Sequence, residues 1–327
     1  MHIDRRWLLQ SVLAAAAIAL CALPASAQNW PSKTIRIIVP FPPGGSADLS
    51  ARLLADHLKA ALQQPVVVEN KVGAGGNIAA AEAARAEPDG YTLFIGTNGT
   101  QTINQNLYRK ISYDPAADFA AIAMMWEAPH LLVVNTSVPA QSLDAFVSYV
   151  RANPGKLSYG SSGVGSSTHL FGEMFKARTG IELAHVPYRG QGPALTDLIG
   201  GQIQAMFPIA PDVMSHIRSG NVRPLALAST RPSAVLQGVP LMPQLGHPDL
   251  IASAWTALYA PARTPSALIE KLRAEVGQLL ASAAFVERMN QAGIEIRAMR
   301  PAEFEAFTKA ERERWAKTID ALKVKID

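Results

Sequence analysis

The sequence predicts an α/β protein whose parallel sheets are divided between two lobes. Three observations carry this expectation. Short apolar runs rich in β-branched residues alternate with segments of helical spacing, the order expected of strand–helix units. Two such series follow one another, and helical spacing resumes after a stretch dense in Pro and Gly over residues 239–248. The chain has 327 residues, 49% of them hydrophobic and 17% charged, which is enough apolar material for two cores.

The first series opens with an apolar run over residues 34–39, read as a strand and broken by Pro42-Pro43-Gly44-Gly45. Leu49, Leu53, Leu54 and Leu58 then mark a helix over residues 46–62. Val66-Val67-Val68 is the next strand, a glycine-rich turn over 73–76 leads to an Ala-rich helix over 77–86, and the Pro88-Asp89-Gly90 turn precedes a strand over 92–95. In the second series, residues 131–134 read as a strand, and Leu143, Phe146, Val147 and Val150 mark a helix. A strand over 157–159 and a helix over 166–179 follow, then short helices over 193–198 and 212–218 and a strand over 225–228. Leu268, Leu272, Val276 and Leu279 mark a late helix, and Phe304, Phe307, Trp315, Ile319 and Leu322 a terminal one. The expected division is residues 28–128 with 254–327 in one lobe and residues 129–253 in the other.

Residues 1–27 read as an export signal. Arg5 and Arg6 form a basic start, residues 7–23 are apolar apart from Gln10 and Ser11, and Ala25-Ser26-Ala27 is a small-residue cleavage pattern before Gln28. The pair of arginines fits twin-Arg export, and the remainder fits the Sec route equally. Cys21, the only cysteine, lies in this leader behind Leu20, which is not the small residue that lipidation needs. The mature chain therefore excludes disulfides, thiolate catalysis and cysteine-ligated metals. The net charge is +4 and no Lys/Arg run exceeds two residues, so a nucleic-acid surface is not expected.

Two loops share one design. A strand ends at Val39, the loop Pro40-Phe41-Pro42-Pro43-Gly44-Gly45 follows, and a helix starts near Ser46. A second strand ends at Tyr159, the loop Gly160-Ser161-Ser162-Gly163-Val164-Gly165 follows, and a helix starts near Ser166. Each places first-turn N–H groups at a helix N-terminus, where unpaired donors and the helix dipole attract anions. Glycine allows close approach to the backbone. Ser161, Ser162, Ser166 and Thr168 add hydroxyls. A carboxylate can be held this way without Arg or Lys. Asp48 fits either ligand contact or a cap on the helix start. Thr97 and Asn98 follow a strand in a small polar loop. Tyr188 offers a ring and hydroxyl, and Arg189 a charge or a solvated loop residue. Pro208 and Ile209, within Phe207-Pro208-Ile209-Ala210-Pro211, fit either a cleft wall or core packing.

Enzyme readings are weaker. Gly44-Gly45-Ser46-Ala47-Asp48 lacks the closing glycine of a nucleophile elbow. His169 lies near Ser166 without a Ser–His–acid order, and it also fits a packing or capping role. No phosphate loop or dinucleotide fingerprint is present, and the seven histidines are scattered singly without metal spacing. No catalytic residue, cofactor or metal is expected.

The ordered set of these segments resembles the Bug-type receptors of the tripartite tricarboxylate transporter family. It comprises Trp30-Pro31, Ile38-Val39-Pro40-Phe41-Pro42-Pro43-Gly44-Gly45 with Asp48, and Val66-Val67-Val68-Glu69-Asn70. It continues through Pro88-Asp89-Gly90-Tyr91-Thr92-Leu93, Leu107-Tyr108, Ser161-Ser162-Gly163 with Gly165-Ser166 and His169-Leu170, His185-Val186-Pro187-Tyr188-Arg189-Gly190, Trp255, and Pro261 to Pro265. The resemblance implies a type II periplasmic-binding-protein fold with a small carboxylate enclosed between two α/β lobes. It implies delivery to a membrane permease of one large and one small subunit. It also implies that residues 43–45 and 161–168 surround the carboxylate, partly through water. Many members carry an acid or amide after the residue matching Phe207. Here that segment is apolar, which favours an apolar or aromatic carboxylate over an amino acid. Trp126 fits either an extension of that apolar wall or the core. A ligand sensor touching a membrane kinase is an alternative reading on the same fold, and an α/β hydrolase is another.

Overall fold

The computed structural model describes residues 30–233 and 235–326; the expected export signal lies outside them. The described chain forms eleven strands in two sheets. Strands β1 (Ile35–Val39), β2 (Val66–Asn70), β3 (Thr92–Thr97), β4 (Phe119–Pro129), β10 (Ser253–Pro261) and β11 (Glu295–Ile296) form the first, in the order β11-β4-β10-β3-β1-β2. Strands β5 (Leu131–Asn135), β6 (Ser158–Ser161), β7 (Ala184–Pro187), β8 (Ala205–Met206) and β9 (Val222–Leu227) form the second, in the order β7-β6-β8-β5-β9.

Both sheets are mixed rather than wholly parallel. β1 runs parallel to β2 and β3, with Ile37 opposite Val68 and Leu93, but β10 runs antiparallel to β3 and β4. β6 runs parallel to β7 and β8, and β5 runs antiparallel to β8 and β9. Periodicity does not reveal β4 and β10 because both are rich in alanine, which has little strand preference. Cross-strand pairing and burial fix them as strands instead. The Pro/Gly-dense connector contains a short 3₁₀ turn, Met242–Leu245.

Each sheet is covered on both faces, which is why its strands read as near-continuous apolar runs. Ile35, Ile37 and Val39 pack under α1 (Ser46–Leu62), α8 (Ser266–Ala281) and α9 (Ala283–Gln291) through Leu54, Leu272 and Phe285. Ile38 and Phe94, on the other face, pack under α2 (Asn77–Ala84) and Phe304 of α10 (Pro301–Leu322). In the second sheet, Leu132 and Val134 meet α4 (Leu143–Ala152) and α5 (Ser167–Thr179), while Leu131 and Val133 meet α6 (Gln191–Ile199) and α7 (Ala210–Arg218). A short helix, α3 (Asn104–Leu107), follows a π turn at Gly99–Ile103.

The chain passes from one sheet to the other between β4 and β5. His130 stands at that point. Its N–H donates to Ala252 O at 2.9 Å, its carbonyl accepts from Ala228 N–H at 2.8 Å, and Ala252 N–H donates to Ala228 O at 3.1 Å. His130 is fully buried and stacks on Phe171 at 5.5 Å between ring centroids. Desolvation pushes its pKa down to about 4, against backbone carbonyls that pull it the other way.

His185 is also pushed down to about 4, first by desolvation and then by His169. A histidine that is harder to protonate folded than unfolded costs stability as soon as the unfolded chain binds the proton. That stability is complete above the ordinary value of 6.5 and declines toward about 4, below which both states are charged. The urea midpoint is therefore expected to fall steadily between pH 7 and pH 4.5; a flat midpoint over that range would show both rings to be hydrated.

The terminal helix ties the two halves together. Trp315 and Ile319 of α10 pack with Ile103 and Leu107 from the first half and Leu170 of α5 from the second. The tail then pairs with the segment after α3: Ile326 N–H donates to Leu107 O at 2.9 Å and Arg109 N–H to Ile326 O at 3.0 Å.

Candidate functional site

The first loop runs from the carboxyl end of β1 to the start of α1. Phe41, Pro43, Gly44 and Gly45 are all exposed. Gly44 has φ +93°, a left-handed conformation that a side chain would strain. Gly45 is the N-cap of α1 in extended geometry and supplies no side-chain cap, so the first-turn N–H groups of the helix emerge beside a bare backbone.

Asp48 shapes this loop from behind. It is 2% exposed. Its Oδ2 accepts from Gly44 N–H at 3.0 Å and from Arg52 Nε at 2.9 Å, and its Oδ1 accepts from Arg52 Nη2 at 3.0 Å and Asn70 Nδ2 at 2.9 Å. Asn70 also donates to Phe41 O at 2.9 Å. The carboxylate thus braces β1's loop, α1 and the end of β2, and its oxygens are occupied by protein donors. Desolvation opposes its charge, but Arg52, Gly44 and Asn70 together hold the carboxyl below its ordinary range. A depressed carboxyl contributes stability above its unfolded value of 3.8 and loses it as pH falls through the lower folded value. Asp48→Ala removes the acceptor shared by the Gly44 N–H, the Asn70 amide and the Arg52 guanidinium, and is expected to cost ~1–3 kcal/mol in urea titration at pH 7 while wild type and variant converge in strong acid.

The second loop runs from β6 to α5. Gly163 has φ +131° and Gly165 φ +78°. Ser166 is the N-cap, its hydroxyl accepting from His169 N–H at 3.3 Å. Thr168 Oγ1 accepts from Ser162 N–H at 3.0 Å and lies 2.8 Å from Ser166 Oγ. Gly165 N–H donates to His169 Nδ1 at 3.1 Å. Ser161 is fully buried, with its hydroxyl 2.6 Å from His185 Nε2, so this Ser–His pair is closed to a substrate. Ser162, Gly163 and Ser166 are partly exposed and Val164 is 51% exposed.

Three further segments border these loops. The Gly73–Gly76 turn packs against both the first loop and the π turn, since a side chain at Gly76 would strike Pro40 and Thr100. Gly165 of the second loop abuts Leu107 and Ile326, where a Cβ would clash. Gly163 lies against the carbonyl of Tyr188. Loops 40–45, 73–76, 99–108 and 161–166 thus form a chain of contacts across the two halves.

Thr97, Asn98 and Tyr188 also bond within the protein. Thr97 N–H donates to Thr100 Oγ1 at 3.0 Å, and Asn98 Nδ2 donates to Ser253 O at 3.2 Å; both residues are nearly buried. Tyr188 donates its hydroxyl to Asp197 Oδ2 at 2.7 Å. Arg189 is exposed. Pro208 and Ile209 belong to the core rather than to an open wall: Ile209 joins the apolar cluster under the first sheet and bridges His130, and Pro208 O accepts from Leu131 N–H. Trp126 is likewise core, its Nε1 donating to Ser50 Oγ at 3.2 Å. Sequence reasoning assigned no role to Asn70, Arg52 or His185. Arg52 stands four residues after Asp48 on α1, a spacing that signals the ion pair, whereas Asn70 carries no local signal because Asp48 meets it only through the fold. His185 stands in a recognised segment but acts through Ser161, which only β6–β7 pairing brings beside it.

Among the described residues, no group of three or more His, Cys, Asp or Glu is placed to hold a metal ion. What the loops offer is backbone and hydroxyl donors, with apolar side chains beside them.

Two mixed sheets joined at a narrow crossing, with glycine-rich helix entrances at strand ends, define a two-lobed solute-binding protein of the type II periplasmic class. Residues 50–324 match the family model of the tripartite tricarboxylate transporter family receptor, and the chain belongs to that family. It is 39% identical over 296 residues to Protein BugT of Bordetella pertussis, covering 90% of this chain and 91% of that one. Among solved structures it resembles R. palustris Rpa4515 with adipate, with a TM-score of 0.86, 34% identity, and coverage of 91% of this chain and 99% of that one. It also resembles MatC from Rhodopseudomonas palustris with bound malate, with a TM-score of 0.82, 31% identity, and coverage of 89% and 100%. Receptors of this family are periplasmic solute-binding proteins and not enzymes.

Proposed function

We propose that this receptor captures a small carboxylate between its lobes and delivers it to a membrane permease of one large and one small subunit. On this reading the signal over residues 1–27 is removed on export to the periplasm. The lobes are residues 28–128 with 254–327 and residues 129–253, and ligand closes them by rotation about the crossing at His130. The observation that carries the reading is the entrance to α1, where exposed glycine backbone meets a helix start with no side-chain cap. The entrance to α5 supplies the opposing donors. Hydrogen bonds to a charged acceptor contribute about 1.5–3 kcal/mol each, so a few of them support micromolar affinity without a cationic side chain.

Phe41 and Val164 flank these entrances with exposed apolar surface. An ammonium group finds no free carboxylate there, since Asp48 is spent on Gly44, Arg52 and Asn70. Asp212, at the start of α7, is pushed by desolvation up to about 7 and makes a poor counter-charge. The ligand is therefore a carboxylate with an apolar or aromatic body rather than an amino acid. The adipate and malate bound by relatives accord with the carboxylate class. Calorimetry over adipate, malate, benzoate and aspartate tests this: binding of the apolar acids without chemical change is expected, and preference for aspartate would overturn the specificity.

A further inference from the structure

His185, on β7, is half-buried behind the second loop. Its ring lies in a stack, between Tyr159 (centroids 4.9 Å apart, planes 25°) and His169 (4.1 Å, 21°). Two rings of this stack are fastened to the loop backbone. His169 Nδ1 accepts the Gly165 N–H at 3.1 Å. His185 Nε2 lies 2.6 Å from Ser161 Oγ, which in turn lies 3.2 Å from both the N–H and the carbonyl of Gly163.

A serine hydroxyl has one hydrogen and two lone pairs. Only one assignment satisfies all three contacts at Ser161. His185 Nε2–H and Gly163 N–H donate to the oxygen, and the hydroxyl donates to Gly163 O. Ser161 is fully buried, so water cannot replace a missing partner there. Gly163 has a φ that glycine alone adopts readily, and such a turn holds its shape only where the surroundings over-determine it.

We infer that His185 is a positioning residue for the anion-binding loop: it holds Ser161, and through Ser161 the Gly163 turn, while His169 holds Gly165. The inference rests on the carboxylate-site reading for its functional meaning, though not for its geometry. Tyr159 completes the support, its hydroxyl donating to Glu173 Oε1 at 2.7 Å and its ring fixing the tilt of His185. The loop's donors are thereby pre-aimed before ligand arrives, which reduces the ordering cost of binding.

The test compares the full chain with His185→Phe, His185→Gln, Ser161→Ala and the His185→Phe/Ser161→Ala double variant. The first keeps a ring in the stack without the donor; the second restores an N–H donor. Amide hydrogen exchange at Gly163 and Gly165 is read in ligand-free protein, with adipate affinity read separately. Expected are faster exchange at Gly163 in His185→Phe and Ser161→Ala and partial recovery in His185→Gln. Affinity should fall roughly tenfold in His185→Phe and in Ser161→Ala, by less in His185→Gln, with no further loss in the double variant. Unchanged exchange at Gly163 in all variants, or losses that multiply in the double variant, would overturn the inference. Altered exchange in a protein that binds no carboxylate would uphold the positioning role and remove the receptor specificity instead.

Discussion

Gly45→Phe is expected to abolish carboxylate binding while leaving the fold untouched. The position permits a side chain: its backbone is extended at φ −81°, and a Cβ there meets nothing within 4 Å. The same open space is what the proposed ligand needs, since it must approach the first-turn N–H groups of α1 closely. A benzyl group would fill that approach. Losing two charge-assisted hydrogen bonds and the helix-dipole contribution corresponds to roughly a thousandfold in affinity, ~4 kcal/mol. The melting temperature should stay at the wild-type value. Gly44→Phe is the informative contrast, because φ +93° strains any side chain there and the loop itself would suffer. Retained adipate affinity in Gly45→Phe, with an unchanged fold, would move the site elsewhere.

Trp315→Ala is expected to give a large loss of stability. The indole is fully buried, its Nε1 donates to Glu311 Oε2 at 3.2 Å, and its ring sits in the cluster shared by Ile103, Leu107, Leu170 and Ile319. Truncating a buried tryptophan costs ~3–5 kcal/mol, the sum of lost transfer energy and the cavity left behind. The consequence here extends past stability. The cluster joins α10 to Leu170 in the first turn of α5 and to the segment that supports Gly165, so loosening it frees the second loop from the first half of the chain. Urea unfolding should show the midpoint falling, and adipate affinity should fall with it at temperatures where the variant is still folded. A variant that loses stability and keeps full affinity would show that the terminal helix only holds the halves together.

These expectations show which parts of the molecule were legible before folding. The helix Ser46–Leu62 was readable to the residue, because leucines repeat at helical spacing between a Pro/Gly break and the β-branched run that follows. The glycine-rich loops were readable because their backbone requirement is written in residue type. Gly44, Gly163 and Gly165 all adopt positive φ. β4 and β10 were not readable, because alanine strands are specified by their neighbours across the sheet rather than by their own pattern. Pro208 and Ile209 left two readings open. An apolar loop beside a helix start reads equally as a cleft wall or as packing, and the deciding contact, Ile209 with the first sheet's core, lies across the crossing between halves. Asp48 and His185 share a further lesson. Each carries part of its meaning through a partner that is near only in space: Asn70 on the next strand for one, Ser161 on the neighbouring strand for the other. Such braces are invisible to spacing arguments, even when the loop they support is plain.

A crystal structure of the receptor with adipate tests the central claim most directly. The account expects carboxylate oxygens within about 2.7–3.2 Å of backbone N–H groups at the entrances to both α1 and α5, directly or through one ordered water. An anion held by arginine or lysine side chains away from these entrances, or gripped by one loop alone with the other turned aside, would contradict it.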